Sequence, residues 1–270
     1  MGLERVEGVV IRTRDLGEAD RIVSLYTRER GKVRAVARGA RRPRNRFASL
    51  AQVPIHGRFG VFQGKGLGTL SQGELITSFK AIRTDLVRTA YALLLAELYD
   101  HMMEEGEPTP ELFRLLLSTL HVIDGSKHAD LTKLFMAFEL KFLLLMGYGL
   151  ELDRCVKCGN EDGLIKWISS KQGGLICEEC LPGSIGAVEA APGTIQVMRR
   201  LLRSDYRLVA ALHVSDSDCR IIKDVLRDSL EAQLSSPLKS LDFLESMISG
   251  EASKNNAGRS ADGDHPGSNR

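Results

Sequence analysis

The chain has 270 residues, is 43% hydrophobic and carries a net charge of +2 from 37 Lys and Arg against 35 Asp and Glu, which excludes the disordered and collagen-like classes. No positively charged start followed by an apolar run is present, and no apolar stretch reaches the roughly 18 residues that span a bilayer, so a soluble, cytoplasmic protein with no membrane partner is expected. The charge is divided along the chain: residues 1–80 hold 16 Lys and Arg against 7 Asp and Glu, a local +9, and the remainder is −7, which points to an anionic polymer as partner of the first segment.

Arg5 to Arg12, Asp20 to Thr27 and Lys32 to Arg38 are short, rich in Val and Ile, partly alternating and bounded by turn residues, and they predict three strands. A loop of mixed Arg and Pro follows, then two glycine-studded strands, Leu50 to Phe62 and Leu67 to Ile76. Five short strands in this length suit a small barrel of the OB type, whose faces and loops commonly bind oligonucleotides. Glycines at 57, 60, 64, 66 and 68 fit bulges and corners. A phosphate-cradling role for Gly64-Lys65-Gly66 is the sharper reading, but neither a helix nor a Lys-Ser/Thr pair follows it.

From Thr84 the period changes to three and four, with Leu86, Val87, Ala90, Tyr91, Leu94, Leu98 and Met102 on one face of a long helix. Thr109-Pro110-Glu111 opens a second, with Thr109 as cap and proline in the first turn, running to about Ile123. A third, Asp130 to Met146, is apolar on nearly every side and predicts the buried centre of a helical domain, with Glu139 read as a paired structural carboxylate or one at the helix edge. Further helices are expected at Pro192 to Arg203, at Ser215 to Leu234 with Ser215 at its start, and at Ser240 to Ile248. Residues 249–270 lack large apolar side chains and predict a disordered tail.

Between the helices lie Cys155, Cys158, Cys177 and Cys180, two C-x2-C pairs with eighteen residues between them. Two such knuckles supply four thiolates to one tetrahedral metal and leave no position open for a reacting water, which predicts a structural zinc site. Two disulfides or a redox pair are the competing readings. Gly159 follows the first knuckle in the usual way, whereas Leu181 follows the second. Leu164 to Ser170 and Gly174 to Cys177 would form the hairpin of a zinc ribbon, turning at Gln172-Gly173-Gly174, with Trp167 packing it. Cys219 has no partner in sequence and reads as a small core residue.

Arg38, Arg41, Arg42, Arg44 and Arg46 place five guanidiniums within nine residues, directly after a predicted strand. Together with Lys32 and Arg34 they are the candidate phosphate-binding set. Roughly four such contacts on a single strand would give a log-log salt slope of about −3, so affinity would fall around fiftyfold between about 50 and 200 mM salt. Phe47, Phe59, Phe62 and Tyr26 are candidates for stacking on bases, although a small barrel needs most of its aromatics inside, and one of the four is expected to be exposed. No H-E-x-x-H, G-x-S-x-G or G-x-x-x-x-G-K-[ST] motif occurs, and the deaminase pattern lacks its upstream half, so an enzyme is not expected.

Several stretches taken in order carry a resemblance: Glu7-Gly8-Val9-Val10, Leu16-Gly17-Glu18-Ala19-Asp20-Arg21, Gly39-Ala40-Arg41-Arg42, Leu67-Gly68-Thr69-Leu70, Phe138-Glu139-Leu140, the four cysteines and Leu238-Lys239-Ser240-Leu241. In these the chain resembles the RecO family of bacterial recombination mediators over about residues 4 to 248. The resemblance implies an α+β protein with a five-stranded OB barrel at 1–80, an α-helical domain at 81–150 and 185–248, and an inserted four-cysteine zinc ribbon at 151–184. It further implies binding of single- and double-stranded DNA, annealing of complementary strands, and work with the RecR protein and single-strand-binding protein to load recombinase. An RNA-binding or ribosome-associated protein built from the same parts is the alternative, and a zinc hydrolase would require an open coordination position.

Overall fold

A computed structural model describes residues 2–63, 66–161 and 165–248. The Gly64-Lys65 half of the glycine loop, Leu164 at the head of the predicted ribbon strand and the tail 249–270 lie outside the described residues. Five strands, β1 (Leu3–Leu16), β2 (Asp20–Thr27), β3 (Gly31–Ala37), β4 (His56–Phe62) and β5 (Gly68–Thr77), close into a barrel in the order β1-β2-β3-β5-β4. Within the barrel only the β3–β5 pair is parallel. Alternation sorts the side chains: Val33, Ala35 and Ala37 of β3 point into the barrel core with Val23, Leu25, Phe59, Val61 and Leu70. Register shifts at Gly57 and between Gly60 and Val61 are the bulges that the glycines predict.

The predicted strand from Leu50 to Phe62 begins only at His56. Pro54 has no N–H to give a ladder, and residues 40–55 instead form a run of turns whose Ala40, Phe47, Leu50, Ala51 and Ile55 plug the barrel. This plug is what holds the arginine loop in place.

Among the described residues, eight α-helical segments follow, beginning with α1 (Lys80–Thr84), α2 (Leu86–Met102), α3 (Pro110–Gly125) and α4 (His128–Leu145). Thr109 stands at the N-cap of α3 but makes no side-chain cap bond there. The apolar pattern of α4 has the predicted consequence: it packs against α2 and α3 and also against α5 (Pro192–Arg203), α6 (Tyr206–Ala211) and α7 (Asp216–Glu231), which surround it. Phe138 and Phe142 are fully buried there, and truncating either to alanine would cost about 3–5 kcal/mol. Ser215 caps α7 by accepting from the Asp218 amide at 3.2 Å. A last helix at 239–248 is tied to α2, because the Glu97 carboxylate accepts from the amide of Ser240 at 2.8 Å. Cys219 packs, half-buried, against the helical core.

The barrel docks on the helices through the outer faces of β1 and β2. Val9, Ile11 and Tyr26 belong to the helical core rather than to the barrel's own, with Tyr26 edge-on to Tyr99 at 5.0 Å between centroids. Asp100 at the end of α2 receives Arg12 of β1 and stands beside Lys32 of β3. The turn at 104–107 lies along β3, bridging Gly31 and Lys32 through Glu105. Gly31 is required here: its φ is +59°, and a Cβ would collide with the carbonyl of Glu107.

Candidate nucleic-acid face and cysteine cluster

The seven candidate cations do not share one environment. Lys32 is largely withdrawn from solvent, with its side chain 13% exposed, and donates to the Asp100 carbonyl at 2.6 Å, so it ties the barrel to α2. Arg34, exposed on the same outer face of β3, is paired with Glu105. Arg41 donates to the Gly17 carbonyl at 2.7 Å and lies 3.4 Å from the Asp15 carboxylate, which joins the loop to the β1–β2 hairpin. Arg46 donates to the Ser71 carbonyl of β5 at 2.6 Å and lies over the ring of Phe47.

Arg38, Arg42 and Arg44 are exposed and have no acidic partner among the described residues. Their placement follows from the backbone beneath them. Successive turns close through Arg42 N–H to Gly39 O at 2.9 Å and Asn45 N–H to Arg42 O at 3.0 Å, and the Asn45 side chain accepts from the Phe47 amide at 2.8 Å. Gly39 is left-handed, φ +69°, and a Cβ there would meet the Asn45 amide nitrogen at 2.5 Å. The loop is therefore fixed from below by Ala40 and Phe47 while Arg38, Arg42 and Arg44 point to water. The backbone that carries these cations is already ordered before phosphate is met, and a guanidinium presents its donors in a planar fork suited to phosphate oxygens.

Of the four aromatics considered for stacking, Tyr26, Phe47 and Phe59 are buried and Phe62 is 49% exposed. Sequence alternation contains this result once the inward face is known, since Phe59 and Val61 point in and Phe62 must point out. His56 is buried with its ring nitrogen 3.0 Å from the Glu7 carboxylate, and burial lowers its pKa while Glu7 acts in the opposite sense.

The ribbon has three strands, β6 (Trp167–Ser169), β7 (Gly174–Ile176) and an unforeseen β8 (Ala187–Glu189), in the order β7-β6-β8. Trp167 sits in the central strand opposite Ile176 and Glu189. The Sγ atoms of Cys155, Cys158, Cys177 and Cys180 all lie within 4.8 Å of one another, with Cys158 and Cys177 at 3.7 Å. None of the four is in a disulfide. A metal held by four thiolates at about 2.3 Å separates its sulfurs by roughly 3.8 Å, so the cluster has the dimensions of a tetrahedral metal site. Burial opposes ionisation of Cys155, but N–H groups from Cys177, Cys158 and Lys157 outweigh it and hold this thiol below its ordinary value, while the neighbouring sulfurs, Cys177 first, push Cys180 up. In the first knuckle the Gly159 amide donates to the Cys155 carbonyl at 2.8 Å with φ +73° at the glycine. The second closes as a 3-10 turn, Glu178–Cys180, followed by Leu181 in the right-handed region, so it needs no glycine.

Glu139 is half-buried between α4 and α7, faced by Lys223 and Arg227. Burial pushes its carboxyl up to about 8, with the two cations pulling the other way. No helix among the described residues is long and apolar enough to cross a membrane.

Two family models match the chain, one described as Recombination protein O N terminal over residues 1–79 and one as Recombination protein O C terminal over residues 83–242. Proteins named DNA repair protein RecO are similar along nearly the whole length. The one from Symbiobacterium thermophilum is 41% identical over 253 residues, covering 92% of this chain and 99% of the relative. Those from Bacillus pumilus and Bacillus mycoides are 36% and 35% identical, covering 92% and 90% of this chain and 95% and 97% of theirs.

Proposed function

The chain belongs to the RecO family of DNA repair proteins, and from that premise we propose that it is a non-enzymatic recombination mediator that binds DNA through its barrel, anneals complementary strands and helps load recombinase on strands coated by single-strand-binding protein. The observation that carries the reading is the trio Arg38, Arg42 and Arg44, exposed and without acidic partners among the described residues, on a loop clamped to the barrel plug. Arg41 and Arg46 border the trio, and Arg34 joins it once Glu105 releases it. Lys32 is assigned to the barrel–helix junction and not to DNA.

Two strands approach each other against the repulsion of their phosphates, and guanidiniums that neutralise some of that charge lower the barrier without consuming nucleotide. Because the contacts are to phosphate, the base edges stay free to pair. Residues 1–80 supply this surface. The helical domain, 81–150 and 185–248, is its frame and the docking region for the RecR protein and single-strand-binding protein implied by the family. The cysteine cluster of the 151–184 ribbon is assigned to zinc, held by Cys155, Cys158, Cys177 and Cys180, where the metal supplies structure and offers no open position. The protein is assigned to the cytoplasm with the DNA it serves.

The test is annealing of complementary oligonucleotides coated by single-strand-binding protein, comparing the natural chain with Arg42→Glu combined with Arg44→Glu. The double variant should keep its melting temperature and lose most annealing. Full annealing by that variant, or stronger binding to structured RNA than to DNA by the natural chain, would refute the reading.

A further inference from the structure

Phe62 is the one exposed residue among the nine phenylalanines of the chain, all of which lie in the described residues. It stands at the end of β4 and is paired with Thr69 of β5, which is paired in turn with Val36 of β3. These three residues form one row on the outer wall of the barrel. Arg34 precedes Val36 by two residues in β3, so alternation puts it on this same face, and Arg38 is the exposed first residue of the turn after β3, one residue past its end. Strands lie about 4.8 Å apart, which sets Phe62 two strands, or roughly 10 Å, from the line of those arginines. On this same flank Arg46 reaches Ser71, two residues along β5 from the partner of Phe62, while the opposite flank of the ring is β1, where the exposed Leu3 is its partner. An exposed aromatic ring thus has guanidiniums along one flank and an apolar neighbour on the other.

Alternation turns Phe62 out of the barrel core that takes Phe59, and with its exposed partner Leu3 it leaves an apolar surface beside the cations. A ligand with a flat apolar face and a polyanionic backbone uses both halves of this surface. Resting on the DNA reading above, we propose that Phe62 is a stacking platform for an unpaired base of single-stranded DNA whose phosphates are held by Arg38 and Arg46. Duplex bases are already stacked and do not engage it, so Phe62 gives the face a preference for single strands that the arginines alone lack.

The experiment compares binding of oligo(dT) and of an abasic oligomer of equal length, at one salt concentration, to the natural chain, Phe62→Ala, Phe62→Trp and Arg42→Gln. The natural chain should prefer oligo(dT) by about tenfold, the order that stacking on one aromatic contributes. Phe62→Ala should erase this preference with abasic binding unchanged, and Phe62→Trp should retain it and have its added indole emission quenched by oligo(dT). Arg42→Gln should weaken both oligomers alike. Phe62→Ala that binds oligo(dT) as the natural chain does, or that loses both oligomers equally, overturns the assignment while Arg42 dependence leaves the DNA reading standing. Failure of the natural chain to bind either oligomer overturns both. Loss of binding to a protein partner in place of bases would mark the ring as a protein contact and equally overturn the proposal.

Discussion

Replacing Arg38, Arg42 and Arg44 together by glutamine isolates the electrostatic part of DNA binding. All three are exposed and none has an acidic partner among the described residues, so their removal should change folding stability by no more than about 0.5 kcal/mol each. On a single strand each lost phosphate contact takes about 0.7 from the log-log salt slope, and three take about 2. Between about 50 and 200 mM salt the fall in affinity should therefore be about twentyfold smaller for the variant than for the natural chain. Arg41 and Arg46 would leave a residual slope near about −1.4 only if each gives up the carbonyl it now holds, Gly17 or Ser71. Fluorescence anisotropy with a labelled oligo(dT) across a salt series measures the slope directly. A variant with the natural slope and affinity would refute the reasoning, because it would mean that the phosphates lie elsewhere on the molecule.

Two further outcomes follow from the cysteine cluster and from Glu139. If the cluster holds the metal assigned to it, prolonged chelation, or Cys158→Ser, should remove that ion and unfold the ribbon, since metal binding contributes about 10–16 kcal/mol to folding of isolated zinc modules; metal content and near-ultraviolet circular dichroism check this, and an unchanged spectrum in metal-free protein would count against a structural role. Glu139 has a folded pKa of about 8 against an ordinary 4.5, so between those values the folded chain keeps a proton that the unfolded chain has lost, and the stability associated with this group falls as pH rises. Glu139→Gln should therefore match the natural chain at about pH 4 and become progressively more stable relative to it up to about pH 8, as read by urea melts at several pH values; a difference independent of pH would show that folding leaves the pKa of this carboxyl unchanged.

Much of this molecule is legible in local pattern. The strand Asp20–Thr27 and the helix Pro192–Arg203 are predicted and found with the same bounds, and the helical period read from Thr84 is found as Leu86–Met102 after a separate short helix, Lys80–Thr84, because period, caps and proline act within a few residues of each other. The cysteine spacing likewise constrains four sulfurs before any packing is known, and the structure brings them together. The strand predicted from Leu50 is different: its apolar residues plug a barrel end, which exists only after five distant strands have closed.

The cations divide in the same way. Sequence by itself determined that residues 1–80 are basic and that five arginines crowd one loop, since charge is a property of composition. Only tertiary structure decided that Lys32 faces Asp100, sixty-eight residues away, and that Arg34 faces Glu105, while Arg38, Arg42 and Arg44 face water. The physical reason is range: a charge is written at one position, but whether it is neutralised depends on which carboxylate the fold places within about 4 Å of it.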